Sequence, residues 1–98
     1  MEKRTPHCPL PLVKALVDAG RVRTTQTARA GAVELGFSYA GMLDVVLALK
    51  HSDFHKSMTT HADDAVWQDV YRPSTYAGDV YLKLTVIDEV LIVSFKRR

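Results

Sequence analysis

The chain has very little cysteine: Cys8 alone among 98 residues. That excludes an internal disulfide and leaves no Cys cluster for zinc. It has no long apolar run. The longest strongly apolar stretch, Val45 to Leu49, is far short of the about 20 residues a membrane helix needs. The opening MEKRTPHCPLP carries no apolar segment of signal-peptide length. There is no large excess of either charge: the formal net charge is +2. Where the charges sit therefore matters more than their sum. Repeats, low-complexity tracts and linkers are absent too. What remains is one small domain with ordinary globular composition, 47% hydrophobic and 24% charged. The expectation is a cytosolic, cofactor-free chain that no membrane holds.

The pattern changes near residue 55. Helical spacing precedes it and alternation follows. That order predicts an α+β fold, with N-terminal helices at about 9–50 packed on a C-terminal antiparallel sheet at about 55–97, all in one domain spanning 1–98. Leu10, Val13, Leu16 and Val17 fall on one face of a helix over 9–19, with proline in its first turn and Gly20 as its stop. Arg21 to Arg23 can form a minor strand. Thr24 or Thr25 caps a second helix, 25–35, ended by Gly36. Gly31 should cost that helix about 1 kcal/mol relative to alanine. Ser38 caps a third, 39–50, whose stripe is Tyr39, Met42, Leu43, Val46 and Leu49. HKSMTTH (55–61) and VWQDVYRP (66–73) read as strands around an ADDA turn, with STYAGD (74–79) as a loop.

DVYLKLTVIDEVLIVSFKRR (79–98) reads as a hairpin. With Asp88-Glu89 as a two-residue turn, Ile87 faces Val90, and this sets the register: on one side Val86 faces Leu91, Leu84 faces Val93 and Leu82 faces Phe95. That side is core. The other side pairs Thr85 with Ile92, Lys83 with Ser94 and Tyr81 with Lys96, and a one-residue slip would mix apolar with polar throughout. In the preceding strand Trp67 and Tyr71 are the core candidates, which leaves Gln68 and Arg72 with Tyr81 and Lys96. Whether Lys56 joins them depends on the parity of the loop before Val66, which the residues leave open.

Lysines, an arginine, a tyrosine and a glutamine on one sheet face suit RNA cleavage by the RNA's own 2′-hydroxyl. Cations neutralise the phosphate and positioned groups move protons. No paired carboxylates are there to hold magnesium, so no metal is expected. The same face would also serve a non-catalytic RNA-binding module or a plain protein-interaction domain, although an RNA binder would carry more exposed aromatics than Tyr81.

The segments MEKRTPH, VRTT, ELGF, SDF, KSMTT, WQDVYRP and VYLKLTVIDEVLIVSFK closely resemble, nearly end to end, the MqsR family of bacterial toxins. The resemblance implies a RelE-like fold and a metal-independent mRNA interferase acting at GC-containing sites of single-stranded mRNA. It implies catalytic positions at Lys56, Gln68, Tyr81 and Lys96, three of which the strand reading reaches by itself. His55, Met58, Arg72 and Lys83 fit the same surface as substrate-binding residues. The family pattern has tyrosine where this chain has His55 and His61. His55 can still stack on a base, and its imidazole titrates near neutral pH. His51 reads as an exposed, non-catalytic side chain. The implied partners are mRNA and an MqsA-like antitoxin, through which alone the complex would bind promoter DNA.

Overall fold

The computed structural model describes residues 1–98. Three helices cover one face of a mixed sheet. The strands are β1 (Glu2–Lys3), β2 (Val22–Thr24), β3 (Phe54–Thr59), β4 (Trp67–Tyr71), β5 (Ser74–Thr75), β6 (Gly78–Ile87) and β7 (Glu89–Arg97). The helices are α1 (Leu10–Asp18), α2 (Gln26–Glu34) and α3 (Tyr39–Leu47), and a short 3₁₀ turn spans His51–Asp53. Across the sheet the order is β1-β3-β4-β6-β7-β2, with β5 folded onto the start of β6. No single helix is long and apolar enough to cross a membrane.

The α+β expectation holds, with a correction to the sheet. All neighbours are antiparallel except β2, which runs parallel to β7. Two strands, β1 and β2, also come from the half of the chain that reads as helical. Both are short and lie at the sheet's edges; β2 is the minor strand expected at Arg21 to Arg23, shifted by one residue, whereas β1 is too brief for a period-2 signal. The third helix ends at Leu47 rather than 50, with Ala48 as its C-cap, while Leu49 still reaches the core at 1% exposure.

The core lies between the helices and the sheet. Val13, Val17, Ala28, Ala32, Met42 and Val46 pack over Tyr71, Val80, Leu82, Leu84, Ile92 and Phe95. Pro9 and Pro11 start α1 where backbone donors have no partner to lose. Gly20, at φ 76, lets the chain turn out of α1 while the Arg21 N–H donates to the Leu16 carbonyl at 2.8 Å.

The hairpin of β6 and β7 keeps the expected register at its open end: Leu82 opposes Phe95, Lys83 opposes Ser94 and Tyr81 opposes Lys96. Toward the turn the expectation fails by one residue. Leu84 opposes Ile92, Thr85 opposes Leu91, Val86 opposes Val90 and Ile87 opposes Glu89, around Asp88 at φ 65. A bulge absorbs the difference at Val93. It puts Ile92, not Val93, into the core beside Leu84, both fully buried.

Thr25 ties that bulge to α2. Its backbone N–H donates to the Ile92 carbonyl at 3.1 Å, and its hydroxyl donates to the Val93 carbonyl at 2.9 Å. The same hydroxyl accepts from the Ala28 N–H at 3.1 Å and so caps the helix. Thr25→Ala removes the cap and orphans the bulge carbonyl. We expect it to cost about 1–2 kcal/mol in urea unfolding, at the upper end for a lost N-cap; a change of a few tenths would mean the bulge is held by other contacts. Further along, α2 crosses β7 at Gly31. A Cβ built there would stand 1.9 Å from the Phe95 carbonyl oxygen. The glycine is thus required by close approach, whatever it costs in helix propensity.

β4 carries a buried acid on its core-facing side. Asp69, 2% exposed, accepts the His7 N–H at 2.9 Å and the Cys8 N–H at 3.0 Å. Burial, and then the Asp69 charge, push the neighbouring Tyr71 phenol and Cys8 thiol above their usual ranges. Trp67 shares that side but is only half-buried, a correction to its expected core position. It is roofed by the segment that Asp69 anchors: His7 stacks on its ring with centroids 5.5 Å apart, and the Lys3 ammonium lies 4.2 Å from the ring centroid.

Candidate functional site

No helix covers the second face of the sheet. Directly paired residues on neighbouring strands share a face, and the ladder lays out what is there. Lys56 on β3 opposes Val70 on β4, Val70 opposes Lys83 on β6, and Lys83 opposes Ser94 on β7. Met58 opposes Gln68 on one flank of this row, and Tyr81 opposes Lys96 on the other. Lys56, Gln68, Tyr81 and Lys96 therefore share one face, together with Met58, Arg72 and Lys83. A second bulge, between Phe54 and Lys56, displaces His55 toward Arg72. The parity that the residues left open for Lys56 is resolved in favour of this face.

The contacts differ from one cation to the next. The Lys96 ammonium lies 5.2 Å from the centroid of the Tyr81 ring, a cation–π distance. Lys56 donates to the Glu2 carboxylate at 2.8 Å. That pair holds the Glu2 carboxyl below the usual carboxylate range. Arg72 approaches Nδ1 of His55 at 3.3 Å. Arginine can only donate, so Nδ1 accepts and the ring proton sits on Nε2. Burial, then the charges of Arg72, Lys56 and Arg4, hold the His55 imidazole below its ordinary pKa. His55 is thus a neutral donor at pH 7, not a free base. Arg4 reaches the same bulge, 3.5 Å from the His55 carbonyl oxygen. Burial, and then the Lys96 charge, lower the pKa of Lys83. His51 and His61 are exposed.

Val70 is fully buried yet stands outside the helix-side core. It is the apolar floor of this face. The largest cleft, about 580 Å³, lies elsewhere, between α3 and residues 73–76, and none of the residues above line it. An open cationic surface rather than a pocket suits an extended polyanion. No group of three or more His, Cys, Asp or Glu side chains is placed to hold a metal ion.

Two participants were invisible in the sequence. Glu2 and Arg4 reach the site because β1 adds to the edge of β3, with Glu2 opposite Met58. No residue pattern in a two-residue strand announces that pairing.

Residues 5–97 match the family model described as "Motility quorum-sensing regulator, toxin of MqsA". The chain belongs to the MqsR toxin family. It is also 59% identical, over the full length of both chains, to the mRNA interferase toxin MqsR of Escherichia coli (strain K12). Within an MqsR-family chain, the cations on the uncovered face are gathered from β3, β6, β7 and the residue just past β4, and tied to the N-terminal segment by one ion pair.

Proposed function

We propose that this MqsR-family chain is a metal-independent mRNA interferase of the bacterial cytoplasm. It cleaves single-stranded mRNA at GC-containing sites and so halts translation. An antitoxin of the MqsA type neutralises it, and only through that antitoxin does the complex meet promoter DNA. The observation that carries the reading is the shared face: Lys56, Gln68, Tyr81 and Lys96 come from four strands of one ladder, above an apolar floor, with no helix over them. The relative's name as an mRNA interferase, and the family's description as a toxin of MqsA, support the substrate and the partner.

The chemistry follows from the side chains. The scissile phosphate carries one negative charge and gains more as a fifth oxygen adds. Lys56 and Lys96 stabilise that charge where water is partly displaced. Tyr81 offers a phenol beside Lys96, and Gln68 offers an amide to the substrate. Met58 and His55 flank the row, where a base can rest on the thioether or the imidazole. Arg72 and Lys83 hold neighbouring phosphates or complete the site.

The test is cleavage of a defined transcript in EDTA, with both new ends mapped. Cleavage leaving 5′-hydroxyl ends is expected. Lys56→Ala, Tyr81→Ala and Lys96→Ala should each lower kcat/KM by at least about tenfold, with thermal melting unchanged. Parent-like rates in all three would defeat the site assignment, and RNA binding without cleavage by the parent would leave a binding module instead.

A further inference from the structure

An RNA linkage that breaks through its own 2′-hydroxyl needs a group to take that proton. The candidates on this face can be taken in turn. His55 has Nδ1 engaged by Arg72 and its proton on Nε2. Glu2 is committed to Lys56, and its carboxyl holds a proton more weakly than usual, which makes it a poor acceptor. Arg72 does not deprotonate in proteins.

Lys83 is different. It stands on β6, the middle of the sheet, with Val70 opposite it on β4 and Ser94 opposite it on β7. It takes part in no ion pair, whereas Lys56 is held by Glu2. The segments on either side present it with Gln68 and Val70 from β4, Arg72 just past it, and Leu91, Ser94 and Lys96 from β7, while β6 itself adds Tyr81 and Thr85. There is no carboxylate in that set, and two of its members are cations. An ammonium with no anionic partner, half-covered and beside the Lys96 ammonium, holds its proton less tightly than a solvated lysine does, and its pKa is lowered accordingly.

Resting on the reading of this chain as an RNA-cleaving enzyme, we propose that Lys83, as the free amine, accepts the 2′-hydroxyl proton, and that Lys56 donates the proton to the leaving 5′-oxygen. The sheet gives the two lysines the right relation. They are two strands apart, about 10 Å at the backbone, with Val70 between them. A phosphodiester seated over Val70 has one lysine on each side, as an in-line displacement requires. The 2′-oxygen passes its proton to Nζ of Lys83 and uses its electron pair to bond to phosphorus. The bond from phosphorus to the 5′-oxygen breaks, and that oxygen keeps the pair and takes a proton from Nζ of Lys56. The products are a 2′,3′-cyclic phosphate and a 5′-hydroxyl. Exchange with water returns both lysines to their starting forms.

Lys83→Arg separates a base from a mere cation, because arginine keeps the charge and cannot give up its proton. Lys83→Arg and Lys83→Ala should each lose about 10²–10⁴-fold in kcat. The arginine variant should keep its RNA affinity, and both should lose the rising limb of kcat/KM with pH. A Lys83→Arg enzyme that cleaves within about threefold of the parent overturns the proposal. Competitive acylation of the free protein gives a readout besides activity. Lys83 should become reactive at lower pH than the other lysines, and labelling as late as theirs overturns the proposal as well. A parent chain that leaves RNA intact would instead overturn the functional reading, and this proposal with it. A cleaving parent alongside an equally active Lys83→Arg variant would overturn the proposal alone.

Discussion

Gly31→Ala will destabilise the protein by about 3 kcal/mol or more, against the sign that helix propensity predicts. Two effects compete. In the interior of α2, alanine gains about 1 kcal/mol over glycine. Its methyl group would meet the Phe95 carbonyl oxygen at 1.9 Å, and that oxygen is backbone. Neither α2 nor β7 can yield by more than an ångström without opening the core around Ala28, Ala32 and Phe95. Overpacking of this kind costs about 1–3 kcal/mol and occasionally more, and here the obstacle is not a flexible side chain. Urea unfolding of the two proteins decides it. A variant more stable than the parent would mean that the helix does not lie that close to the strand.

Asp69→Ala will cost about 3 kcal/mol and will loosen the N-terminal segment in particular. The carboxylate satisfies two backbone donors at once, at His7 and Cys8, one of them fully buried. Leaving a buried donor without a partner costs about 1–3 kcal/mol, and charged acceptors sit at the upper end. Residues 1–8 carry β1, so their release also frees Lys56 from Glu2. Hydrogen exchange at the Cys8 amide should rise steeply, while the amides of β6 and β7 rise only as far as global stability falls. Unchanged protection at Cys8 would show that something other than this carboxylate anchors the segment.

Much of this architecture was legible because apolar residues on a half-covered sheet must alternate. Leu82, Leu84 and Phe95 could point only one way, and Tyr81, Lys83 and Lys96 were left on the other. Thr25 and Ser38 were legible as caps because their hydroxyls meet the first helical N–H groups, of Ala28 and Gly41. The bulge at Val93 was not. In VLIV every residue is apolar, so the sequence does not say which of Ile92 and Val93 faces the core; the Thr25 hydroxyl decides it from 68 positions away. Asp69 went unread for another reason. An acid between Gln68 and Val70 reads as surface, and only the folded-back N-terminus supplies the donors that let it be buried. Trp67 was assigned to the core on size alone, and what covers it is again that segment. The sequence-based reading put Gln68, Tyr81, Lys83 and Lys96 on one face, as the ladder does, and left Lys56 open across the loop between β3 and β4. It failed to find Glu2, whose contact with Lys56 spans 54 positions.

That contact bears on how the toxin responds to ionic strength. A single-stranded nucleic acid releases about 0.7 condensed counterions for each phosphate a protein neutralises, which is why such binding strengthens in dilute buffer. Lys56 is already neutralised from within its own chain. A phosphate that seats there must evict a tethered carboxylate, and added salt screens the evicted rival along with the newcomer. If this face binds RNA as proposed, capture at Lys56 would thereby be less sensitive to the surrounding electrolyte than capture by a bare lysine.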